Sequence, residues 1–156
     1  ESAKEIFVNR VNRISDYAKK KGIIILLENN VISNSNMKHF GTNPFLMTNH
    51  FETIEIMKAT HDNVRLLIDV AHLKVSSYSE GFCKNEYLNS TADYTCAYHL
   101  SDNDGLSDSN GPITLDSWFW PYIRKDLNYY SLEVYNQDIE FLKKQVELVH
   151  MKLSHL

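Results

Sequence analysis

Four side chains able to hold a divalent cation recur along this 156-residue chain: Glu28, Asp69, His99 and Glu133, separated by 41, 30 and 34 residues. Each lies at or near the end of a short β-rich run. Ile23-Ile24-Ile25-Leu26-Leu27 precedes Glu28, Val64 leads to Asp69, Thr95–Leu100 contains His99, and Tyr129–Val134 contains Glu133. Each interval fits about one strand–helix unit, and in parallel α/β folds side chains at the strand carboxyl ends converge on a common site. A lone acid there is more often a solvated cap or a helix N-cap. A lone His in a Tyr-His-Leu strand is more often a satisfied core or rim residue. Four on successive strands are harder to dismiss, because three carboxylates brought together without a cation would repel one another. Two Glu, one Asp and one imidazole favour one divalent metal, Mn²⁺, Mg²⁺ or Co²⁺, with Zn²⁺ also admissible. His72 follows Asp69 by three residues and would overlie the same face, suited to bind a substrate oxygen or to move a proton.

The elements that must position these groups alternate along the chain. Residues 3–20 place Ile6, Val8, Val11, Ile14 and Tyr17 at helical spacing, and Gly22 is the expected stop. The continuously apolar run from Ile23 to Leu27 predicts a strand buried on both faces. A polar loop is expected from Asn29 to Asn43, then a helix from Pro44 to about Thr60, and a second strand from Val64 to Asp69. A looser helical stretch from Leu73 to Asn89 precedes a strand from Thr95 to Leu100. The loop from Ser101 to Pro112 is rich in Asp, Asn, Ser and Gly, which turn and cap but do not pack. Leu115 to Arg124 reads as a short helix, Tyr129 to Val134 as a fourth strand, and Asp138 to Leu153 as a terminal helix. That last helix aligns Ile139, Leu142, Val146, Val149 and Leu153 on one face. Strands alternating with helices imply a parallel sheet in a single α/β domain over residues 1–156.

Composition narrows the function classes. The chain is 43% hydrophobic and 23% charged, which is globular rather than disordered. Lys and Arg number 16 against 20 Asp and Glu, a net charge of −4. Nucleic-acid binding through phosphates normally carries the opposite balance. The longest apolar run, Ile23 to Leu27, is too short to cross a bilayer. Cys83 and Cys96 form neither a disulfide framework nor a zinc motif, which suits a reducing, cytoplasmic setting.

The strings Leu27-Glu28-Asn29, Ile68-Asp69-Val70-Ala71-His72, His99-Leu100-Ser101-Asp102-Asn103 and Leu132-Glu133-Val134 together resemble the xylose isomerase-like (β/α)₈ barrels. That superfamily contains sugar and sugar-phosphate isomerases and epimerases, inosose-type dehydratases and endonuclease IV-type nucleases. The resemblance runs from about Gly22 to Glu133 and implies the C-terminal half of a TIM barrel, about four parallel strands corresponding to strands five to eight. It implies that Glu28, Asp69, His99 and Glu133 ligate the metal, that His72 contacts substrate, and that the loop from Asp102 to Pro112 covers the sugar. Asp102 and Asp108 are therefore candidate substrate contacts. Where the family often has Asp-x-His, this chain has Asp108-Ser109-Asn110, and Asn110 cannot serve as an imidazole ligand.

These features make a sugar or sugar-phosphate isomerase or epimerase the expected activity, with Glu28 and Glu133 as base and acid on either side of an enediolate. The same pair could drive dehydration. An endonuclease IV-type phosphodiesterase would need further His ligands, and His39, His50 and His61 read as surface residues. A degenerate barrel kept for interaction would need no metal at all. Trp118, Trp120 and Tyr122 are expected to pack the short helix on the sheet, with Trp118 the candidate sugar-stacking ring. Arg65 is expected to pair with an acid at the bottom of the barrel, and Arg124 is the nearest candidate for a phosphate contact. A full barrel takes about 250 residues, and the chain opens at Glu1. It is therefore expected to be a fragment needing its other half, or to self-associate through exposed sheet edges.

Overall fold

Local signals set most of the helix ends. Ser2 and Glu5 form a reciprocal capping box, the Glu5 N–H donating to Ser2 Oγ and the Ser2 N–H to Glu5 Oε2, which starts helix α1 (Ala3–Lys19). Gly22 follows with a φ of 68°, a conformation other residues adopt at a cost, and turns the chain toward the sheet. The computed structural model describes residues 2–154. It contains β1 (Ile25–Glu28), α2 (Asn34–Phe40), α3 (His50–Ala59), β2 (Val64–Asp69), α4 (Val70–Glu80), α5 (Lys84–Thr91), β3 (Thr95–Leu100), β4 (Tyr129–Leu132) and α6 (Ile139–Ser154). The four strands form one parallel sheet in the order β1-β2-β3-β4, so strands consecutive in sequence are neighbours in space. Four parallel strands with six helices are an α/β arrangement consistent with a TIM barrel or part of one.

Register decides which side chains share a face. Glu28 pairs with Leu67, Leu67 with Ala97, Asp69 with His99, and His99 with Ser131. Residues between these point the other way. Val64, Leu66, Ile68, Tyr98 and Leu100 are all buried and pack with Ile56, Leu73, Tyr87 and Leu88 of the helices, and with Phe119. Each fully buried Leu or Ile contributes roughly 2 kcal/mol of transfer free energy to that layer.

The opposite face is open in part. Leu26 and Tyr129 on it are 36% and 63% exposed, and β1 is half-buried at best. The expectation that the first strand is buried on both faces is therefore corrected: Leu26 and Glu28 of β1 are exposed on this side, while Asp69 and Ala97 further across the face are buried. Ile23 and Ile24 lie before the strand and are exposed.

Several element boundaries also differ from expectation. The polar loop after β1 contains α2, capped by Ser33 and ended by Gly41 at a φ of 72°. The next helix starts not at Pro44 but at His50, where the Asn49 side chain accepts the Glu52 N–H. Gly81, also at a φ of 72°, splits the expected stretch from Leu73 to Asn89 into α4 and α5. Residues 115–124 form turns rather than a helix. Ser117 Oγ accepts the Thr114 N–H and the Trp120 indole donates to the Thr114 carbonyl, while Pro121 disfavours helix in the residue before it. On α6, Leu148, Val149 and Leu153 pack against the core, whereas Ile139 and Val146 of the expected stripe are exposed. Arg65 donates to the Asp93 carbonyl rather than to a carboxylate.

Candidate metal centre

Strand ends and one helix cap bring the site together. Asp69 is both the last residue of β2 and the N-cap of α4, and its Oδ1 accepts the N–H groups of Ala71 (2.7 Å) and His72 (2.8 Å). Those two bonds fix the carboxylate and leave Oδ2, fully buried, without a hydrogen-bond partner. Asn29 clasps the ends of β1 and β2. Its Oδ1 accepts the Asp69 N–H at 2.7 Å, and its Nδ2 donates to the Asp69 carbonyl at 3.1 Å. Glu133 follows β4 immediately, and its N–H continues the ladder to the Leu100 carbonyl.

Glu28, Asp69, His99 and Glu133 meet in one cluster, with one ligand-capable atom from each within 4.8 Å of the others. His99 Nδ1 lies 3.2 Å from Glu28 Oε1, 2.9 Å from Glu133 Oε2 and 3.9 Å from Asp69 Oδ2. Only the contact to Glu28 has hydrogen-bond geometry, so Glu133 Oε2, like Asp69 Oδ2, is buried without a hydrogen-bond partner. Atoms each about 2.1 Å from one ion are at most about 4.2 Å apart, so the 4.8 Å bound on this cluster needs only a small inward shift of the side chains to share a divalent cation. The donor set of three carboxylates and one imidazole fits it chemically as well.

The electrostatics carry the same tension. Burial pushes the Asp69 carboxyl up to about 6; neighbouring Glu133 adds to the rise and His72 opposes it. The hydrogen bond to His99 holds Glu28 below the usual glutamate range, against its partial burial. The same bond raises His99, again against burial. His72 lies beside the cluster with Nδ1 3.0 Å from the Asn29 carbonyl and Nε2 3.2 Å from Asp108 Oδ2. Burial works against its charge, but the hydrogen bond to Asp108 and the Asp69 charge outweigh burial and take its pKa up to about 9. At neutral pH it is an imidazolium, with both nitrogens donating.

The other sequence candidates are placed differently. Asp108 faces His72 at the rim of the cluster. Asp102 is occupied by the scaffold: Oδ1 takes Lys74 Nζ at 2.7 Å, Oδ2 takes Ser117 Oγ at 2.8 Å, and its backbone bridges Gly111. The structure brings Trp118 to Lys84, whose Nζ lies 5.1 Å from the ring centroid, and to Phe119. Arg124 bonds Asp126 and the carbonyls of Ala92 and Thr95, at the end of β3 away from the cluster. His39 and His61 are exposed, whereas His50 is buried against Phe51, Phe82 and Tyr87, contrary to its reading as a surface residue.

Two residues that the sequence reading gave no role belong to the site. Asn29 is the clasp described above; its place directly after Glu28 was the one available signal. Tyr135 donates its hydroxyl to Glu133 Oε1 at 2.7 Å, and that bond raises the phenol pKa. Two-residue strand periodicity past Glu133 could have suggested it.

The family profile of the xylose isomerase-like TIM barrel matches residues 1–147. The chain belongs to the xylose isomerase-like TIM-barrel family. No curated protein matches it. Among solved structures it is similar to the probable 3-DHS dehydratase AsbF involved in petrobactin synthesis from Bacillus anthracis. That match has a TM-score of 0.61 and 17% identity, over 93% of this chain and 55% of the other. It is also similar to the Thermus thermophilus protein TTHB071 soaked with zinc chloride, with a TM-score of 0.54 and 18% identity over 97% of this chain and 57% of the other. The chain thus spans little more than half the length of either structure, and at these identities the likeness concerns the fold. The family includes sugar isomerases and epimerases and endonuclease IV-like enzymes. Among the described residues, no helix is long and apolar enough to cross a membrane.

Proposed function

We propose that the protein is a divalent-metal-dependent sugar or sugar-phosphate isomerase or epimerase working by proton transfer through an enediolate. The observation that carries the reading is the pair of buried carboxylate oxygens without a hydrogen-bond partner, Asp69 Oδ2 and Glu133 Oε2, both facing His99 Nδ1 within the cluster. Orphaned buried carboxylate oxygens are costly, and a cation would repay them. Glu28, Asp69, His99 and Glu133 would hold Mn²⁺, Mg²⁺, Co²⁺ or Zn²⁺. Such an ion, when bound, supplies positive charge beside the oxygens on which negative charge develops.

The chain's own groups divide the remaining work. Glu28, held ionised by His99 in the metal-free fold and by the cation's charge once one is bound, is suited to take the proton from the carbon next to a carbonyl. Glu133 would return a proton to the neighbouring carbon in an isomerase, or to the opposite face of the same carbon in an epimerase, carrying it on Oε1 once the Tyr135 hydroxyl turns to accept rather than donate. His72 presents a charged N–H at the rim, where a substrate oxygen would compete with Asp108 for Nε2. The four strands would then be strands five to eight of the barrel, with the substrate walls supplied by the other half or by a second copy. Free Cys83 and Cys96 are compatible with the cytoplasm.

The nuclease alternative is less well supported. It needs additional imidazoles, and of the remaining candidates His39 and His61 are exposed while His50 sits in an aromatic pocket. The net charge of −4 also repels a phosphate backbone. The test is solvent-deuterium incorporation into a panel of ketoses by the metal-loaded protein, with Glu133→Gln as control. Incorporation that disappears in the variant supports the proposal. Retained metal with no incorporation into any sugar overturns the proton-transfer reading.

A further inference from the structure

We infer that Tyr135 is a positioning residue that makes Glu133 a one-oxygen ligand. The inference rests on the metal reading of the cluster. Glu133 has two oxygens in different surroundings. Oε1 accepts the Tyr135 hydroxyl at 2.7 Å, while Oε2 is buried, has no hydrogen-bond partner and lies 2.9 Å from His99 Nδ1. A carboxylate free to turn can offer both oxygens to a cation; one tied at Oε1 offers Oε2 alone. Tyr135 is itself held from the other side of the site. Its N–H donates at 2.9 Å to the carbonyl of Asn110, a buried residue at a φ of 45° in the loop after β3. That loop is tied down in turn by Asp102, through Lys74 and Ser117. Tyr135 is 53% exposed, so its hydrogen bond to Glu133, more than packing, ties it to the site. Residues that orient a ligand from behind tune both affinity and geometry.

The experiment replaces Tyr135 with Phe, which keeps the ring and removes the hydroxyl. Metal-free thermal unfolding of the two proteins should coincide, because the ring is exposed. Titration calorimetry with Mn²⁺ should show about 10- to 100-fold weaker binding for the variant. The Co²⁺-loaded variant should also have weaker visible absorption bands, as Glu133 swings round to offer both oxygens and the coordination number rises. Wild type that binds Mn²⁺, beside a Tyr135→Phe variant with unchanged affinity and Co²⁺ spectrum, overturns this inference and leaves the metal reading standing. Wild type that binds neither ion overturns both.

Discussion

Replacing Asp69 with Asn should stabilise the metal-free protein while abolishing metal binding. Asp69 is fully buried, and its carboxyl is pushed up to about 6 by burial. In the unfolded chain it titrates near 3.9. Between those values the folded chain holds the proton and the unfolded chain does not, so raising the pH costs stability. Above 6 the whole cost is in force. A shift of roughly two units corresponds to up to about 3 kcal/mol. Asparagine resembles the neutral acid, and its Oδ1 can still cap α4 through the Ala71 and His72 N–H groups. In urea unfolding with a chelator at pH 8, Asp69→Asn should therefore gain up to about 3 kcal/mol over wild type, and near pH 4 the difference should vanish. Mn²⁺ at about 1,000 times its Kd should reverse the order, since it adds about 4.1 kcal/mol to wild type alone. A variant less stable than wild type at pH 8 without metal would refute the reasoning.

Other outcomes follow from the same contacts. Asn29→Ala orphans the Asp69 N–H and carbonyl and should cost about 2 kcal/mol or more in urea unfolding. His72, raised to about 9 in the metal-free fold, contributes stability that is complete below its unfolded value near 6.5 and lost as the pH rises through 9. A ring-proton NMR titration should find that midpoint, and Asp108→Asn should lower it. The open sheet face carrying Leu26 and Tyr129 should make this chain self-associate unless another segment covers it. Light scattering should detect the association, and Leu26→Glu should weaken it.

How far the sequence could be read depended on the scale of the physics involved. Helix α1 was legible because a helical apolar stripe and a terminal glycine both act within a few residues. The order of the strands and the polar residue at or near each carboxyl end were equally visible, since each strand–helix unit repeats the same hydrophobic punctuation. Residues 115–124 misled because Trp120 and Ser117 satisfy backbone groups of Thr114 through side-chain bonds, which hydropathy does not register. Asp102 was read as a substrate contact from its loop; its bonds to Lys74 and Ser117, at 28 and 15 residues' separation, are long-range contacts that the sequence does not display. The exposure of β1 was invisible for another reason. An apolar strand has the same sequence whether or not its second face finds a partner.

The central claim is that Glu28, Asp69, His99 and Glu133 hold one divalent cation. Elemental analysis of the purified protein after equilibration with Mn²⁺ and desalting tests it most directly, with His99→Ala and Asp69→Asn in parallel. About one ion per chain in wild type and none in either variant is the predicted result. No ion in wild type, or the same content in all three proteins, would contradict it.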